Sequence, residues 1–228
     1  MRLRSVELEM PDRAAAAAFL QTPWGLLDAG TRGNTSYLRA TSDQAYTIAV
    51  TEAPKKAVAS ITFAGSKAEV DAVFARVQKS DLKHSQWIAS FDEPGRGAGF
   101  YVSGPEGEPY RFVVEQEKTA ALPAERTRPL HLSHVALNSG NREAATRMMV
   151  DVFGFRLSDR TRIMNFVRCD NTHHCIAYAD NENFSLNHIA FEMIDTDAVM
   201  CGMGRLKDAN CPTAWGPGRH GPGNNTFS

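Results

Sequence analysis

Cysteine is scarce in this chain and confined to its last third. The four cysteines are Cys169, Cys175, Cys201 and Cys211, and none precedes position 169. Disulfides among them could not tie the two ends of the fold together, and free thiols are typical of a reducing compartment. The cysteine pattern therefore predicts a cytoplasmic protein without structural disulfides.

The chain also lacks an excess of charge of one sign and a long apolar run. Its 25 Lys and Arg balance 26 Asp and Glu, for a formal net charge of −1. Such a balance argues against a nucleic-acid-binding surface. No apolar run approaches the roughly 18 residues of a membrane span, and residues 1–10 alternate polar and apolar side chains, unlike a signal peptide. We therefore expect neither a nucleic-acid nor a membrane partner.

The sequence does contain an internal repeat. The segment LRSVELEMPDRAAAAAFLQTPWG, from Leu3, is similar to LHLSHVALNSGNREAATRMMVDVFG, from Leu130, at an offset of 129 residues between their aromatic-Gly ends. A second pair, at residues 58–77 and 186–206, keeps an offset of 128. Each segment alternates like a strand and then shows helical spacing, with the first helices predicted at 12–20 and 142–152.

The repeat predicts an α+β fold of two homologous modules, each built from paired βαβββ units that form a curved sheet around a concave site. We place the modules at residues 1–117 and 131–228, with a polar linker at 118–130 that holds two prolines. The hairpin-like segment at 99–117 has no full counterpart in the second module. By the logic of the repeat, one further hairpin is expected beyond Ser228.

The two modules differ most clearly in histidine. The first module holds one histidine, whereas six follow position 130. His134 and His188 stand where the first module has Ser5 and Ser60, and an apolar-Ala-apolar triplet follows each histidine. Imidazole is the commonest side-chain metal ligand, and the two strands occupy equivalent places in the predicted sheet. We therefore expect both rings to point into the concave face and bind one metal ion.

These residues resemble those of the vicinal oxygen chelate superfamily, and within it the two-domain type I extradiol ring-cleavage dioxygenases. The resemblance rests on LSHVAL, HHCIAYA, LNHIAF and WGPGRHGPGNNTFS, and it covers essentially the whole chain. It implies Fe(II), or less often Mn(II), held by His134, His188 and a glutamate, which leaves positions open for substrate and O2. The counterpart of this glutamate in the first module is Arg111. At the offset of the repeat, the glutamate itself is therefore expected beyond Ser228.

The resemblance also implies site roles for five other residues, namely His174, His220, Phe166, Ala136 and Asn225. His174 aligns with the family's acid–base residue, and a group that titrates near neutrality would suit both the removal of catechol protons and their return. Its neighbour His173 is expected on the opposite strand face, as a structural or exposed residue. His220, in the glycine-rich loop, is expected to hydrogen-bond the substrate or oxygen. The remaining substrate contacts implied are Phe166, Ala136 and Asn225.

The function implied is Fe(II)-dependent extradiol cleavage of a small aromatic diol by O2, in a homo-oligomer whose first module binds no metal. Two other activities within the same superfamily stay open on the sequence. One is a ligand-binding protein that sequesters drugs, and the other is a glyoxalase-like isomerase. The sequence does not predict the substituents of the ring.

Overall fold

The computed structural model describes residues 1–115 and 117–228, which form two curved sheets with helices packed against them. The strands of the first sheet are β1 (Arg2–Met10), β2 (Leu27–Arg32), β3 (Thr35–Arg39), β4 (Ile48–Glu52), β5 (Ala57–Ala64), β6 (Ala98–Ser103) and β7 (Pro109–Val114). Those of the second are β8 (His131–Ser139), β9 (Arg156–Arg160), β10 (Met164–Arg168), β11 (Ile176–Asp180) and β12 (Ser185–Glu192). The short strands β13 (Gly218–Arg219) and β14 (Thr226–Phe227) pair only with each other.

Within the described residues, four α-helices follow strands in the same way in both halves of the chain. They are α1 (Arg13–Gln21), α2 (Lys67–Val77), α3 (Arg142–Arg147) and α4 (Thr196–Asp208). Each begins at a polar side chain that accepts a hydrogen bond from the first turn, namely Asp12, Ser66, Asn141 and Asp195. The helix predicted at 142–152 is α-helical only as far as Arg147 and continues as a π-helical turn at Met148–Val152. In the described part of the chain, none of the helices has the length and apolar character needed to cross a membrane.

The strand orders are β2-β3-β4-β1-β5-β7-β6 in the first sheet and β12-β8-β11-β10-β9 in the second. The α+β fold of two modules with curved sheets is therefore confirmed. The second unit of the first module is shorter than the predicted βαβββ. Isolated bridges at His84 and Ile88 stand where a strand between α2 and β6 was expected. In the second module, β12 lies at a sheet edge, whereas its counterpart β5 is paired on both sides.

The two modules share one aromatic core. Phe63 and Phe112 lie in the first sheet, and their rings meet Phe155 and Phe153 edge-on, with centroids 4.9 and 4.8 Å apart. All four side chains are buried. Edge-to-face aromatic packing adds specific geometry to the burial of apolar area. The packing therefore fixes how the second sheet sits against the first.

The duplication holds residue by residue where β1 pairs with β5 and β8 pairs with β12. Both pairings contain a β-bulge at the same place, so that one residue of the second strand has no partner. The matched pairs are Glu7 with Ser60 and Ala136 with His188, and the skipped residues are Ala59 and Asn187. Bulges re-aim side chains beside functional sites. The same irregularity in both copies shows that the repeat alignment is correct here.

Candidate metal centre

The two predicted metal ligands lie side by side on neighbouring strands of the second sheet. His134 on β8 and His188 on β12 point to the same face, and their Nε2 atoms are 3.1 Å apart. The ring centroids are 5.2 Å apart and the planes are nearly perpendicular, at 78°. His134 is buried, while His188 lies on the edge strand and is exposed. The structure thus brings together two side chains that are 54 positions apart in sequence.

This pair of nitrogens fits a single divalent ion. Two imidazole nitrogens, each about 2.1 Å from one ion and at a right angle, lie about 3 Å apart. The observed separation of 3.1 Å matches that distance. In the part of the chain that the structure describes, no cluster of three or more His, Cys, Asp or Glu side chains could hold a metal. His134 and His188 would thus supply two ligands, and the glutamate beyond Ser228 stays a prediction.

The surroundings of both candidate ligands lower their pKa values and so favour the neutral imidazole. Desolvation, followed by repulsion from charge on His174, His188 and His220, lowers the pKa of His134 from 6.5 to about 2. Burial and the charge of His220 also lower the pKa of His188. A metal ligand must be the neutral imidazole, which offers a nitrogen lone pair. The environment therefore favours the protonation state that binds a metal.

His174 lies directly against the pair. Its ring centroid is 4.4 Å from that of His134, as the hairpin between β10 and β11 brings it in from the side. Burial, then repulsion from His173, His220 and His188, lowers its pKa from 6.5 to about 4. The sequence argument expected a group that titrates near neutrality, and the structure differs because the ring is largely desolvated. At neutral pH, His174 is a proton acceptor.

The metal-free protein is expected to lose stability as the pH falls below 6.5. Unfolded histidine titrates near 6.5, whereas His134 and His174 have folded-state pKa values of about 2 and about 4. Between these values the unfolded chain binds protons that the folded chain does not, so the stabilisation present above pH 6.5 is lost on acidification. Two such groups give a slope of about 2 kcal/mol per pH unit between pH 6 and 4.

Denaturant unfolding at several pH values measures this slope. The His174→Gln variant should show about half of the histidine contribution. The variant His84→Gln removes an exposed histidine and should leave the slope as it is in the unaltered chain. Equal slopes in His174→Gln and the unaltered chain would contradict the proposed burial effect.

The expectation that His173 lies on the opposite strand face is wrong, because β11 begins only at Ile176 and both His173 and His174 belong to the turn before it. Nδ1 of His173 is 2.9 Å from Nδ1 of His174, and its ring lies 5.8 Å from that of Phe166. Strand alternation therefore does not apply, and His173 lies beside His174 rather than on the other side of the sheet.

An apolar wall closes the site beside these histidines. The Phe166 ring stands edge-on to His174, with centroids 5.0 Å apart. Ala136 is fully buried, pairs with His188 across the strands, and packs in one cluster with Phe166 and Ala177. The structure therefore places Phe166 and Ala136 next to the histidine pair. A larger side chain at position 136 would push into this wall.

The glycine-rich loop carries the last two predicted residues, His220 and Asn225. His220 stacks on Phe227 with centroids 4.0 Å apart, and a charge on His220 lowers the pKa of His134. The Asn225 carbonyl accepts a hydrogen bond from the His220 amide at 3.0 Å, while the Asn225 residue itself is exposed. Gly223, with φ of 74°, allows the loop to pass close to His173.

The first module contains a counterpart of this histidine cluster that has a carboxylate at its centre. At offsets of 127 to 129 residues, Ser5, Ser60, Tyr46 and Glu93 occupy the positions of His134, His188, His174 and His220. Glu7 occupies the position of Ala136 and accepts hydrogen bonds from Ser5 and Ser60, the two counterparts of the metal ligands. A buried carboxylate thus stands between the two positions that would hold a cation in the second module.

Arg111 completes this counterpart cluster. Its guanidinium donates to Glu7 at 2.9 Å, to Glu93 at 2.7 Å and to Thr62 at 2.9 Å, and it is 3% exposed. Burial would raise the pKa of Glu7, but the charges of Arg111 and Arg4 outweigh it and the pKa is lowered. Sequence reasoning missed this network, although the repeat offset aligns Ser5, Ser60, Tyr46 and Glu93 with four of the histidines.

Comparisons with known proteins agree with this geometry. The sequence profile described as Glyoxalase/Bleomycin resistance protein/Dioxygenase superfamily matches residues 131–227. Two curated relatives are metapyrocatechase 2 of Cupriavidus necator, 31% identical over 106 residues, and metapyrocatechase of Geobacillus stearothermophilus, 24% identical over 214 residues. These alignments cover 45% and 83% of this chain but only 33% and 64% of the relatives' own lengths.

Solved structures match nearly the whole chain. A Mn(II)-bound glyoxalase from Novosphingobium aromaticivorans superposes with a TM-score of 0.94 and 32% identity, over 99% of this chain and 76% of the other. Homoprotocatechuate 2,3-dioxygenase from Arthrobacter globiformis gives a TM-score of 0.88 at 23% identity, over 98% of this chain and 74% of the other. The second likeness concerns the fold alone, whereas the first also shows relatedness in sequence.

Proposed function

The chain belongs to the glyoxalase/bleomycin resistance protein/dioxygenase superfamily, and on that premise we propose that it acts in extradiol cleavage of a catechol-type ring by O2. The observation that carries the proposal is the convergence of His134 and His188 next to His174 in the module that the family profile matches. Two relatives named metapyrocatechase support the same reaction class. The proposed substrates are a small aromatic diol and O2.

Ferrous iron is the proposed ion, with Mn(II) as the alternative. His134 and His188 would hold it, and a histidine pair with a carboxylate is typical of non-haem iron oxygenases. When bound, the ion would supply a template that orients the diol and O2 side by side. The Mn(II) in the related glyoxalase structure supports the alternative. The homo-oligomeric state and the cytoplasmic location stay predictions from the sequence.

His174 is the proposed proton carrier. It is neutral at pH 7 and half-buried beside the metal ligands, so its free nitrogen can accept a proton from a diol hydroxyl. A deprotonated diol next to the ring would raise the pKa of His174 toward neutrality, because opposite charges stabilise each other at short range. The proton could then be returned to the ring-opened product. His220 and Phe166 would position the diol from the loop side and the wall side.

Oxygen consumption tests the proposal directly. The protein, loaded anaerobically with Fe(II), should take up one O2 per catechol and form a coloured ring-opened acid, because both oxygen atoms enter the product. A 1,4-diol such as hydroquinone serves as the control, since it cannot offer two neighbouring oxygens to one ion. Absence of oxygen uptake with every vicinal diol tried would refute the proposal.

Glyoxalase-type isomerisation is the second candidate, because the related structure at 32% identity is named a glyoxalase. That reaction needs no O2, so turnover of a glutathione–methylglyoxal adduct under argon would favour it. The two relatives named metapyrocatechase favour ring cleavage, and the neutral His174 can accept a hydroxyl proton that a diol must lose.

A further inference from the structure

A row of hydrogen-bonded amide side chains leads from the surface of β12 to His188. We propose that Asn187 and Asn138 are positioning residues, which hold His188 in the tautomer that carries its proton on Nδ1. The Nε2 lone pair then faces His134, where the ion is proposed to bind. This inference deepens the proposed function and rests on it for the assignment of His188 as a ligand.

The hydrogen bonds of this amide row run in one consistent direction. Nδ1 of His188 lies 2.8 Å from Oδ1 of Asn187, and an amide oxygen only accepts, so the ring nitrogen donates. Nδ2 of Asn187 donates to Oδ1 of Asn138 at 2.9 Å. Nδ2 of Asn138 donates in turn to the Ser185 hydroxyl at 2.9 Å. Turning the Asn187 amide alone would place its oxygen against that of Asn138, which disfavours the other tautomer.

The β-bulge explains how Asn187 reaches its neighbour. In a regular strand, adjacent side chains point to opposite faces of the sheet. The pairing with β8 skips Asn187 between Leu186 and His188, and a bulge re-aims side chains in this way. As a result, the amide of Asn187 and the imidazole of His188 lie within hydrogen-bond distance although they are consecutive residues.

The first module provides an internal comparison. It has the same bulge at Ala59, but Ala57 and Glu9 stand where the second module has Ser185 and Asn138. The bulge therefore forms without the row of amide side chains, and that row occurs only in the module that carries the histidine pair. This difference argues for a role in preparing His188 rather than in maintaining the strand.

His134 has no such fixed partner. Its Nδ1 lies 3.4 Å from the Ser133 hydroxyl, which can either donate or accept. In the metal-free protein, His134 can donate its Nε2 proton to the lone pair of His188 across the 3.1 Å gap. We therefore infer that His188 is set in advance, while His134 changes tautomer when an ion binds. Partners of the second ring nitrogen orient metal-binding histidines in this manner.

Nuclear magnetic resonance of ¹⁵N-histidine-labelled, metal-free protein tests the tautomer at pH 7.5. We expect His188 to be protonated at Nδ1. Asn187→Leu should shift it toward the Nε2-protonated form, and Asn187→Asp, which keeps an acceptor oxygen, should restore the original pattern. Protonation at Nε2 in the unaltered chain, or no change in Asn187→Leu, would overturn the proposal. Asn187 is exposed, so these variants are expected to fold.

Mn(II) affinity, measured by electron paramagnetic resonance of the free ion, gives a second readout. Asn187→Leu should weaken binding about tenfold or more, which is the usual cost of losing a partner of a ligating histidine. Asn183→Leu, in the exposed turn before β12, is the matched control and should bind as the unaltered chain does. An affinity equal in all variants would count against a positioning role. The tautomer result does not depend on ring cleavage, so failure of the proposed function would be seen separately.

Discussion

Replacing Arg111 by methionine is expected to lower the free energy of unfolding by about 3–5 kcal/mol, which is the usual cost of leaving a buried charge without its partner. The guanidinium contacts two buried carboxylates, Glu7 and Glu93, and also a hydroxyl of Thr62. Glu93 would keep its bond to Arg4 at 2.9 Å, but Glu7 would retain only hydroxyl donors. Denaturant unfolding at pH 7 measures the loss.

The pH dependence of this variant identifies the cause. Arg111 lowers the pKa of Glu7 against the effect of burial, so its removal should raise that pKa. Glu7 would then take up a proton in the folded state, and the deficit relative to the unaltered chain should shrink as the pH falls from 7 to 5. The double variant Glu7→Leu/Arg111→Met should recover part of the stability. Arg126→Met, which breaks an exposed pair with Asp195, should cost less than about 1 kcal/mol.

Replacing His134 by glutamine is expected to weaken Fe(II) and Mn(II) binding at least about 100-fold, because the loss of a ligand should exceed the 10- to 100-fold effect of losing a ligand's partner. Oxygen-dependent ring opening should fall with it. The fold should persist, since a neutral amide replaces an imidazole that is itself neutral. Metal titration and oxygen uptake on the same preparation test both expectations.

The matched control is His131→Gln on the same strand. His131 is half-exposed and lies 3.2 Å from Glu192, away from the histidine pair. Its loss should change neither metal affinity nor turnover. If His134→Gln bound the ions as tightly as His131→Gln does, the metal centre would have to lie elsewhere.

The sequence was sufficient for those features that follow from alternation and from the repeat. The offset aligned His134 and His188 with Ser5 and Ser60, and the observed pairings of β1 with β5 and of β8 with β12 keep that alignment. The fold class, the curved sheets and the helices at each strand end could be derived in the same way. The boundaries of the two modules stay predictions from the repeat.

Other parts of the site depend on features that a periodic pattern does not contain. His173 lies in a turn, where alternation does not apply, and Asn187 sits in a bulge, which reverses the face expected for it. The ion network joins Glu7 to Arg111 across 104 positions. The pKa of His174 depends on how far the folded chain excludes water, which composition cannot reveal.

The counter-charges of Glu7 and Arg111 have a consequence for the assembly of the protein. Glu7 and Arg111 neutralise each other inside the first sheet. The first module therefore has a buried ion pair at the place where the second module is proposed to bind a metal ion. It can therefore reach its final shape before any metal is available. The rings of Phe63 and Phe112 would then offer the second sheet the same packing surface whether or not an ion is bound.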